Sequence, residues 1–426
     1  MANASTYELT EADTKLPASL GALGPKLLIA GVAMVLVALA WDYFGMAEPE
    51  GHHNSAVTHW QFSYLTGFFY WLTIVLGGLI FLLIQHVFRS GWSVVVRRPA
   101  EAVVSCIPLM ALLVLPILVP IAFMDDDTVY KWIDQGVRDA DKTDLPSKLV
   151  VYKYFLNKPF FLVRIAIYFG MWFLLSRLLV GASNAQDSDG DIKHTRKMEM
   201  RAAPGILAFA LTLTFAGFDM LMSLDPHWFS TIWGIYLFAG SMTSFMSLLA
   251  LLTMWVQSKG GMKFVNQEHF HDIGKLMFGF VVFFGYIGFS QFLLIWYANI
   301  PEETIFYLHR LEGNWSLFSV LLLFGHFIIP FLGLLSRHVK RHKPSLMFWA
   351  FWLLMVHFVD MYWIVMPTLS ERLGHPEALN FHLIDLLVVL GIGGIVVGSA
   401  LKSAASRNIV PVRDPRLPES LALENI

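Results

Sequence analysis

The sequence predicts an all-α integral membrane protein with ten transmembrane helices. Of its 426 residues, 56% are hydrophobic and only 15% are charged, which is too few charges to cover a soluble protein of this size. Long apolar runs recur along the chain, and each is long enough as a helix to cross about 30 Å of hydrocarbon. Lysines and arginines are also concentrated in the loops that ten crossings would place on one side of the membrane.

The ten predicted spans are numbered 1 to 10 in chain order. They cover residues 26–44, 62–88, 100–124, 159–182, 203–224, 229–257, 272–298, 315–336, 345–367 and 380–401. The residues before span 1 include several acidic side chains and lack an apolar core, so they are not expected to form a signal peptide. The predicted organisation is an N-terminal segment at 1–25, a membrane domain at 26–401 and a C-terminal tail at 402–426.

The distribution of basic residues predicts the orientation. Of the 30 lysines and arginines, 21 lie on the side that holds both termini and eight on the opposite side. Cationic loops resist translocation, so both termini are expected in the cytoplasm. Six of the eight lie in the external loop 125–158. The length of this loop and its aromatic residues make it a candidate docking surface for an external partner, through Tyr130, Trp132, Tyr152 and Tyr154. An ordinary solvated loop is the alternative.

One connection and two spans carry further local signals. The cytoplasmic stretch 183–202 is polar and is predicted to be a mobile loop. Span 3 contains three prolines, which remove backbone donors and should bend it unless neighbours compensate. In span 8, Pro330 removes the donor for the carbonyl of His326, which places a kink and a histidine together near the membrane centre. Helix packing alone is the other explanation for these prolines.

Ionisable side chains within the spans are candidates for a function, because a central charge costs about 2.5–3.5 kcal/mol on insertion scales. Asp219 and Arg164 lie near the external ends of their spans, both about 8 Å deep at the rise of a helix, and could pair directly. Asp360 and Asp385 belong to the same outer third. These residues indicate either a pathway or an ion pair that only fixes helix packing.

A second group lies near the predicted membrane centre. His326 and His357 fall at about the same depth on antiparallel neighbours, about 15 Å from the external ends. His357 and Asp360 are three residues apart and share a helix face. Because a histidine next to a carboxylate can pass a proton along that face, we expect a proton relay here. The alternative is a set of satisfied packing residues.

The cytoplasmic half holds a separate polar group around His86, with Gln85, Glu101 and Lys275. On the external side, Asp225 precedes a proline and is predicted to be the N-cap of span 6. Span 2 has a stripe of residues spaced by seven on one face, Tyr64, Trp71, Gly78 and Gln85. With Gly77 beside it, the stripe indicates close helix packing, and a flat quinone slot is the alternative. The single cysteine, Cys106, excludes an internal disulfide, a multi-thiolate iron–sulfur site and a CxxCH haem attachment.

Four segments carry a resemblance to a known family. They read LGGLIFLLIQHV at 76–87, YKYFLNKPFFLVR at 152–164, MSLDPHWFSTIWG at 222–234 and FSQFLLIWYANIPEET at 289–304. Through nearly all ten spans the chain resembles the membrane subunit designated F of bacterial alternative complex III, which is related to the membrane subunits of polysulfide reductase. In that family a tryptophan often follows the first aspartate of the segment that corresponds to Phe218–Asp219 in this chain. Met220 stands there in this chain, which weakens any role that needs an indole.

The resemblance implies a cofactor-free integral subunit of the bacterial cytoplasmic (inner) membrane. Its fold would be two four-helix bundles, helices 2–5 and 6–9, flanked by helices 1 and 10. Members of this family are suspected of carrying protons through polar half-channels. The site residues proposed for such a path in this chain are Asp219, Arg164, His326, His357, Asp360, Asp385 and His86.

The resemblance also implies partners. The complex would oxidise a quinol, such as menaquinol, and pass electrons towards cytochrome c or a terminal oxidase. A sister membrane subunit, designated C, holds the better supported quinol site. An iron–sulfur subunit and multihaem and monohaem cytochrome c subunits complete the expected electron path, with contact to membrane lipid and no nucleic acid. A quinone contact in this chain itself remains open.

Three other functions are compatible with the sequence. A b-type haem protein would use His326 and His357 as axial ligands, because they lie at equal depth on adjacent helices. A secondary transporter would need broken helices at corresponding places in two halves. Span 3 has such interruptions, whereas its counterpart, span 7, has no proline within the membrane. A purely structural scaffold is the third alternative.

Overall fold

The prediction of an all-α protein with ten membrane helices is confirmed. The computed structural model describes residues 9–45, 58–144 and 148–424, and within them it contains helices and no strand. Ten helices are long and apolar enough to cross a membrane, and each overlaps one predicted span. They are α1 (Ala18–Phe44), α2 (Thr58–Val87), α3 (Val94–Phe123), α4 (Lys158–Asp189), α5 (Ile192–Leu224), α6 (Trp233–Ser258), α7 (Gln267–Ala298), α8 (Trp315–Leu335), α9 (Lys343–Arg372) and α10 (Leu383–Ala405).

The helix assembly has two opposite faces. The termini face is the side at which α1 begins and α10 ends, and the loop face is the other side, which carries the connection from α3 to α4. The prediction of a mobile loop at 183–202, on the termini face, is wrong, because both flanking helices extend into this stretch. Only Gly190 and Asp191 separate α4 from α5. Gly190 has φ +71°, a conformation that glycine adopts without strain, and Asp191 accepts from the backbone N–H of Lys193.

The predicted N-cap role of Asp225 is also wrong. Helix α6 begins at Trp233, two turns further along the chain. Asp225 instead accepts a hydrogen bond from the backbone N–H of His227 at 3.1 Å, which stabilises the turn before α6. The Asp-Pro pair therefore marks a turn that the structure places outside the helix.

Two of the three prolines of span 3 stand where its helix is interrupted, whereas Pro120 lies inside the last helical segment. The predicted bending itself stays a prediction. Helix α3 consists of three segments, Val94–Val104, Ile107–Leu113 and Leu115–Phe123. Pro108 and Pro116 stand in the first turn of the second and third segments, where an N–H has no acceptor within its own segment. The hydroxyl of Ser176 donates to the carbonyl of Val104, four residues before Pro108, at 3.3 Å. The Tyr64 hydroxyl donates to the carbonyl of Leu113 at 2.8 Å, next to the second break.

The helices pack in two quartets that share an extensive boundary. Helices α2, α3, α4 and α5 contact one another in a closed order, and so do α6, α7, α8 and α9. Helix α2 also packs against α6, α9 and α10, and α5 packs against α6. Helix α10 lies between α2 and α1. These contacts fit the expected fold, while the division into two separate bundles stays a prediction.

Glycines allow the closest helix approaches. Along α1 and α10, a Cβ at Gly398 would lie 2.6 Å from the carbonyl oxygen of Gly24, and one at Gly31 would overlap the carbonyl of Gly391. Such contacts are typical of membrane helices that associate through small residues. Between α2 and α6, Gly77 faces the backbone of Ser241 in the same way. The predicted packing role of Gly77 is confirmed.

The connection on the loop face is folded onto the helices. Its described part contains the helices Gln135–Asp144 and Lys148–Tyr154, while residues 145–147 of the predicted external loop lie outside the described residues. Tyr130, Trp132 and Tyr152 are buried, so the docking role predicted for them is wrong. Tyr130 donates to the carbonyl of Met220 at 3.0 Å. Tyr154 alone among the four predicted aromatic residues is exposed.

Candidate functional site

The structure brings His326, His357 and Asp360 together in the interior of the helix assembly. All three side chains are fully buried. His326 and His357 lie near the midpoints of α8 and α9, and their ring centroids are 6.3 Å apart. Nδ1 of His357 faces Oδ2 of Asp360 at 4.0 Å. We call these residues, with Tyr236 and Thr73, the central cluster.

Two side chains from other helices fix the orientation of His357 and Asp360. The hydroxyl of Tyr236, on α6, donates to Oδ1 of Asp360. The hydroxyl of Thr73, on α2, lies 2.9 Å from Nε2 of His357 and also donates to the carbonyl of Tyr70 at 2.9 Å. Since a threonine hydroxyl has one hydrogen, that bond to Tyr70 leaves Thr73 to accept from Nε2–H of His357.

In the tautomer of His357 that this bond implies, the lone pair of Nδ1 points at Asp360. With the ring proton on Nε2, Nδ1 of His357 is an acceptor. Neither this Nδ1 nor Oδ2 of Asp360 has a hydrogen-bond partner within the described part of the chain. Their 4.0 Å separation exceeds a hydrogen bond by about 1 Å. Buried polar groups are rarely left unpaired, and a pair that faces across a short gap is a candidate for proton transfer.

His326 lies in an irregular part of α8. Residues Leu322–Ile328 form a π-helical turn, in which Ile329 N–H bonds the carbonyl of Phe324. The sequence predicted that Pro330 would leave the carbonyl of His326 without a donor. Because the turn is π-helical, the carbonyl without a donor is that of Gly325 instead. The indole N–H of Trp352 on α9 donates to that carbonyl at 2.7 Å. A neighbouring helix therefore compensates the proline, and π-turns of this kind are frequent at functional sites.

We expect Trp352→Phe to lower the free energy of unfolding by about 1–2 kcal/mol, because it would leave the Gly325 carbonyl buried and unpaired. The change keeps an aromatic ring at the contact between α8 and α9. Titration with sodium dodecyl sulfate in mixed micelles measures the effect. Trp349→Phe, on the same helix, is the control, and equal stability of the two variants would contradict the assigned role of the Trp352 indole.

The face of His326 is covered by Phe284 of α7, whose ring centroid lies 3.9 Å away. Neither ring nitrogen of His326 has a hydrogen-bond partner within the described residues. Ligation of a haem iron through Nε2 of His357 would break its bond to Thr73, and Nδ1 of the same ring faces Asp360. The geometry therefore gives the b-type haem alternative no support.

A chain of polar side chains leads from the loop face towards the central cluster. Ser230, at the start of this chain, donates to Oε1 of Gln291 at 3.0 Å, and Nε2 of Gln291 donates to the hydroxyl of Tyr307 at 2.9 Å. Tyr307 and Tyr236 lie near each other but share no hydrogen bond within the described residues, and Tyr236 bonds Asp360. Burial raises the pKa of Tyr307 to about 12, so this hydroxyl stays protonated near neutral pH.

Arg310 is a buried cation beside this chain. It donates to the carbonyl oxygens of Trp363 at 3.1 Å, Ile364 at 2.9 Å and Phe306 at 2.9 Å. Pro367 lacks the N–H that would bond Trp363, so the guanidinium replaces a helical donor. Burial lowers the pKa of Arg310 to about 9, and the negative charge of Asp225 opposes this shift. Within the described residues it makes no ion pair at contact distance.

Arg164 and Asp219 pair directly across α4 and α5. Nε of Arg164 lies 2.8 Å from Oδ2 of Asp219, and Nη2 lies 2.5 Å from Oδ1, a two-pronged ion pair. Tyr168 donates to the same carboxylate at 2.6 Å. The remaining guanidinium nitrogen donates to the carbonyl of Phe155 at 2.9 Å. This pairing uses most of the hydrogen-bonding capacity of both groups and favours a packing role, while their proposed part in proton transfer stays a prediction.

The other two predicted site residues lie apart from the central cluster. Asp385, in the first turn of α10, accepts from Ser63 at 2.5 Å and lies 3.1 Å from Nε2 of His59. It also accepts from the backbone N–H of His382, in a helix cap. His86 is buried at the termini-face end of α2, near Arg97. Their proposed roles in a proton path stay predictions.

Sequence reasoning missed Thr73, Tyr236 and Arg310 as parts of this region. Neutral hydroxyls within apolar spans give no signal of depth or pairing. Arg310 lies in the short helix Pro301–Leu311, between α7 and α8, where an arginine resembles an ordinary loop residue. The sequence feature that indicates its role is Pro367, which leaves one carbonyl of α9 without a helical donor and lies near Arg310 only in the folded chain. No protein-family model and no curated protein matches the chain.

Proposed function

We propose that this chain is a membrane subunit of a quinol-oxidising respiratory complex of the alternative complex III type. In this proposal the central cluster moves protons, and partner subunits carry the electrons. The observation that supports the proton role is the open contact between Nδ1 of His357 and Oδ2 of Asp360 at 4.0 Å, with both atoms buried and without another partner among the described residues. The resemblance of four sequence segments supports the respiratory assignment.

The chemistry of the pair suits proton transfer. A neutral aspartic acid that carries its proton on Oδ2 would donate to Nδ1 of His357, and a small side-chain rotation would close the gap. Transfer gives an imidazolium next to a carboxylate, an ion pair whose charges are held by Thr73 and Tyr236. An isolated charge at this depth would be costly, whereas a pair that shares one proton avoids it.

The proposed outer route starts at Ser230 and passes Gln291 and Tyr307 to Tyr236 and Asp360. Three of these neighbours are already joined by hydrogen bonds of 3.0 and 2.9 Å. Towards the termini face, α6 carries a series of fully buried hydroxyls, namely Thr243, Ser244 and Ser247. They bond carbonyls of their own helix, so hydroxyl rotation or water would have to connect them.

The partners follow from the same proposal. The sister membrane subunit would bind the quinol, and iron–sulfur and cytochrome c subunits would accept the electrons. A quinone contact in this chain and the bacterial inner membrane as its location belong to the proposal as well. The ten apolar helices agree with contact to membrane lipid.

The test compares variants of the purified complex in sealed vesicles. Asp360→Asn keeps the size of the side chain and removes the group that exchanges a proton, so we expect normal assembly and a lower ratio of protons moved to electrons transferred. Tyr70→Phe is the control, because the Tyr70 ring lies beside His357 while its hydroxyl donates to the backbone carbonyl of Leu354 at 3.3 Å. We expect this control to keep the ratio of the unmodified complex. An unchanged ratio in Asp360→Asn would contradict the proposal.

A purely structural subunit is the second candidate function. The closed ion pair between Arg164 and Asp219 favours it, because groups that bond each other fully have no free site for a passing proton. If Asp360→Asn kept the proton ratio and only lowered the amount of assembled complex, the structural function would be the better description.

A further inference from the structure

A polar cavity at the termini face lies outside all the roles described above. It has a volume of about 520 Å³ and opens between α3, α4 and the end of α10. Its lining includes three cationic side chains and several hydroxyls, among them Lys15, Arg177, Arg407, Ser105, Ser403 and Ser406. The one carboxylate in the lining is Asp187, which Arg98 already binds at 2.5 Å. The cavity is therefore electropositive.

Arg407 is arranged to bind an anion within this cavity. Its guanidinium donates to the hydroxyls of Ser105 and Ser403, each at 3.0 Å, and it forms no ion pair at contact distance within the described residues. Burial lowers the pKa of Arg407, because a cation there is poorly solvated. Arg407 is half-buried, and its hydrogen bonds go only to neutral groups, although the carboxylates of Glu101 and Asp187 act on it from further away. An added negative charge in contact with such a guanidinium stabilises it.

Arg177 lies at the side of the cavity from which an anion would enter. It lies about three turns before α4 ends, is exposed, and has no partner in the described part of the chain. The neighbouring exposed residues one turn away are apolar, Phe173 and Leu174. An arginine on the outer surface of an apolar helix extends towards the lipid phosphates at the interface.

We propose that this cavity binds the phosphate of an anionic phospholipid, with Arg177 and Arg407 as its main cationic contacts. The acyl chains would lie along the apolar surface of α4 beside Phe173 and Leu174. Basic pockets between membrane helices on one side of the bilayer suit such head groups. The adjacent apolar surface favours a lipid over a free phosphate ion, which would gain nothing from it.

Native mass spectrometry of the full chain in detergent tests the proposal, with phosphatidylglycerol, phosphatidylcholine or inorganic phosphate added. We expect phosphatidylglycerol to be retained in preference to phosphatidylcholine. Each cation removed should lower that retention about fivefold. We therefore expect about a fivefold loss in Arg177→Gln and about a 25-fold loss in the double variant Arg177→Gln with Arg407→Gln. Lys259→Gln, an exposed cation on the same face outside the cavity, is the matched control and should have no effect.

Three outcomes would overturn the proposal. Equal retention of the two lipids would show that the cavity does not select an anionic head group. Equal losses in Lys259→Gln and Arg177→Gln would show a diffuse charge effect. Displacement of the lipid by millimolar inorganic phosphate would indicate a site for a soluble anion. Because Arg177 is exposed, Arg177→Gln alone is not expected to impair folding, and Arg177→Lys should retain part of the binding.

Discussion

Replacing Asp219 with alanine is expected to lower the free energy of unfolding by about 3–5 kcal/mol, because the variant leaves Arg164 buried without its counter-charge. Asp219 is fully buried and bonds Arg164 through both carboxylate oxygens, at 2.8 and 2.5 Å. The loss also removes the acceptor for Tyr168. Titration with sodium dodecyl sulfate in mixed micelles, followed by tryptophan fluorescence, measures the change.

The double variant Arg164→Met with Asp219→Leu separates the charge effect from packing. Apolar residues of similar volume often replace a buried ion pair at little cost, so we expect it to recover most of the lost stability. A double variant as unstable as Asp219→Ala would contradict the ion-pair explanation. The same variant tests the role in proton transfer, because a complex that moves protons normally without both charges cannot use them as a path.

The helix pattern could be predicted from sequence because one constraint dominates in a membrane. Backbone groups in hydrocarbon must bond within their own segment, so each apolar run long enough to cross forms a helix. That rule identified α1 to α10. The three prolines of span 3 indicated irregular backbone but did not determine that the helix would be interrupted at Pro108 and Pro116. The rule does not determine where a helix ends outside the hydrocarbon. The helices at 183–202 and the late start of α6 were therefore mispredicted.

The central cluster could be predicted only in part. Depth along each span aligned His326 with His357, and the spacing of His357 and Asp360 placed them on one face. Which helix lies opposite depends on three-dimensional packing, so Tyr236 and Thr73 could not be identified. The π-turn in α8 was also missed. Pro330 in the sequence shows that one carbonyl lacks a helical donor, but it does not show which carbonyl this is. The register of the turn shifts it to Gly325.

The second large effect is expected from Gly77→Leu, at the contact between α2 and α6. A Cβ at Gly77 would overlap the carbonyl oxygen of Ser241 and lie 2.6 Å from Cβ of Phe245, so the helices must separate. Overpacking usually costs about 1–3 kcal/mol, and we expect at least the upper value because the obstacle is a backbone that cannot rotate away. The same unfolding titration measures it.

Gly170→Leu on α4 is the matched control, because no heavy atom lies within 4 Å of a Cβ built at that glycine. It should be neutral or slightly stabilising, since glycine is a poor helix former. If the two leucine variants were equally stable, the close approach of α2 to α6 would be contradicted.

The packing of α2 against α6 also determines the geometry of the central cluster. Thr73, one turn before Gly77 on α2, holds His357, and Tyr236 on α6 holds Asp360. Moving these helices apart would lengthen the bonds that orient both members of the pair. Gly77→Leu is therefore expected to lower the proton-to-electron ratio of the complex as well as its stability, whereas Gly170→Leu should change neither. A destabilised Gly77→Leu complex with a normal ratio would show that proton movement does not depend on this geometry.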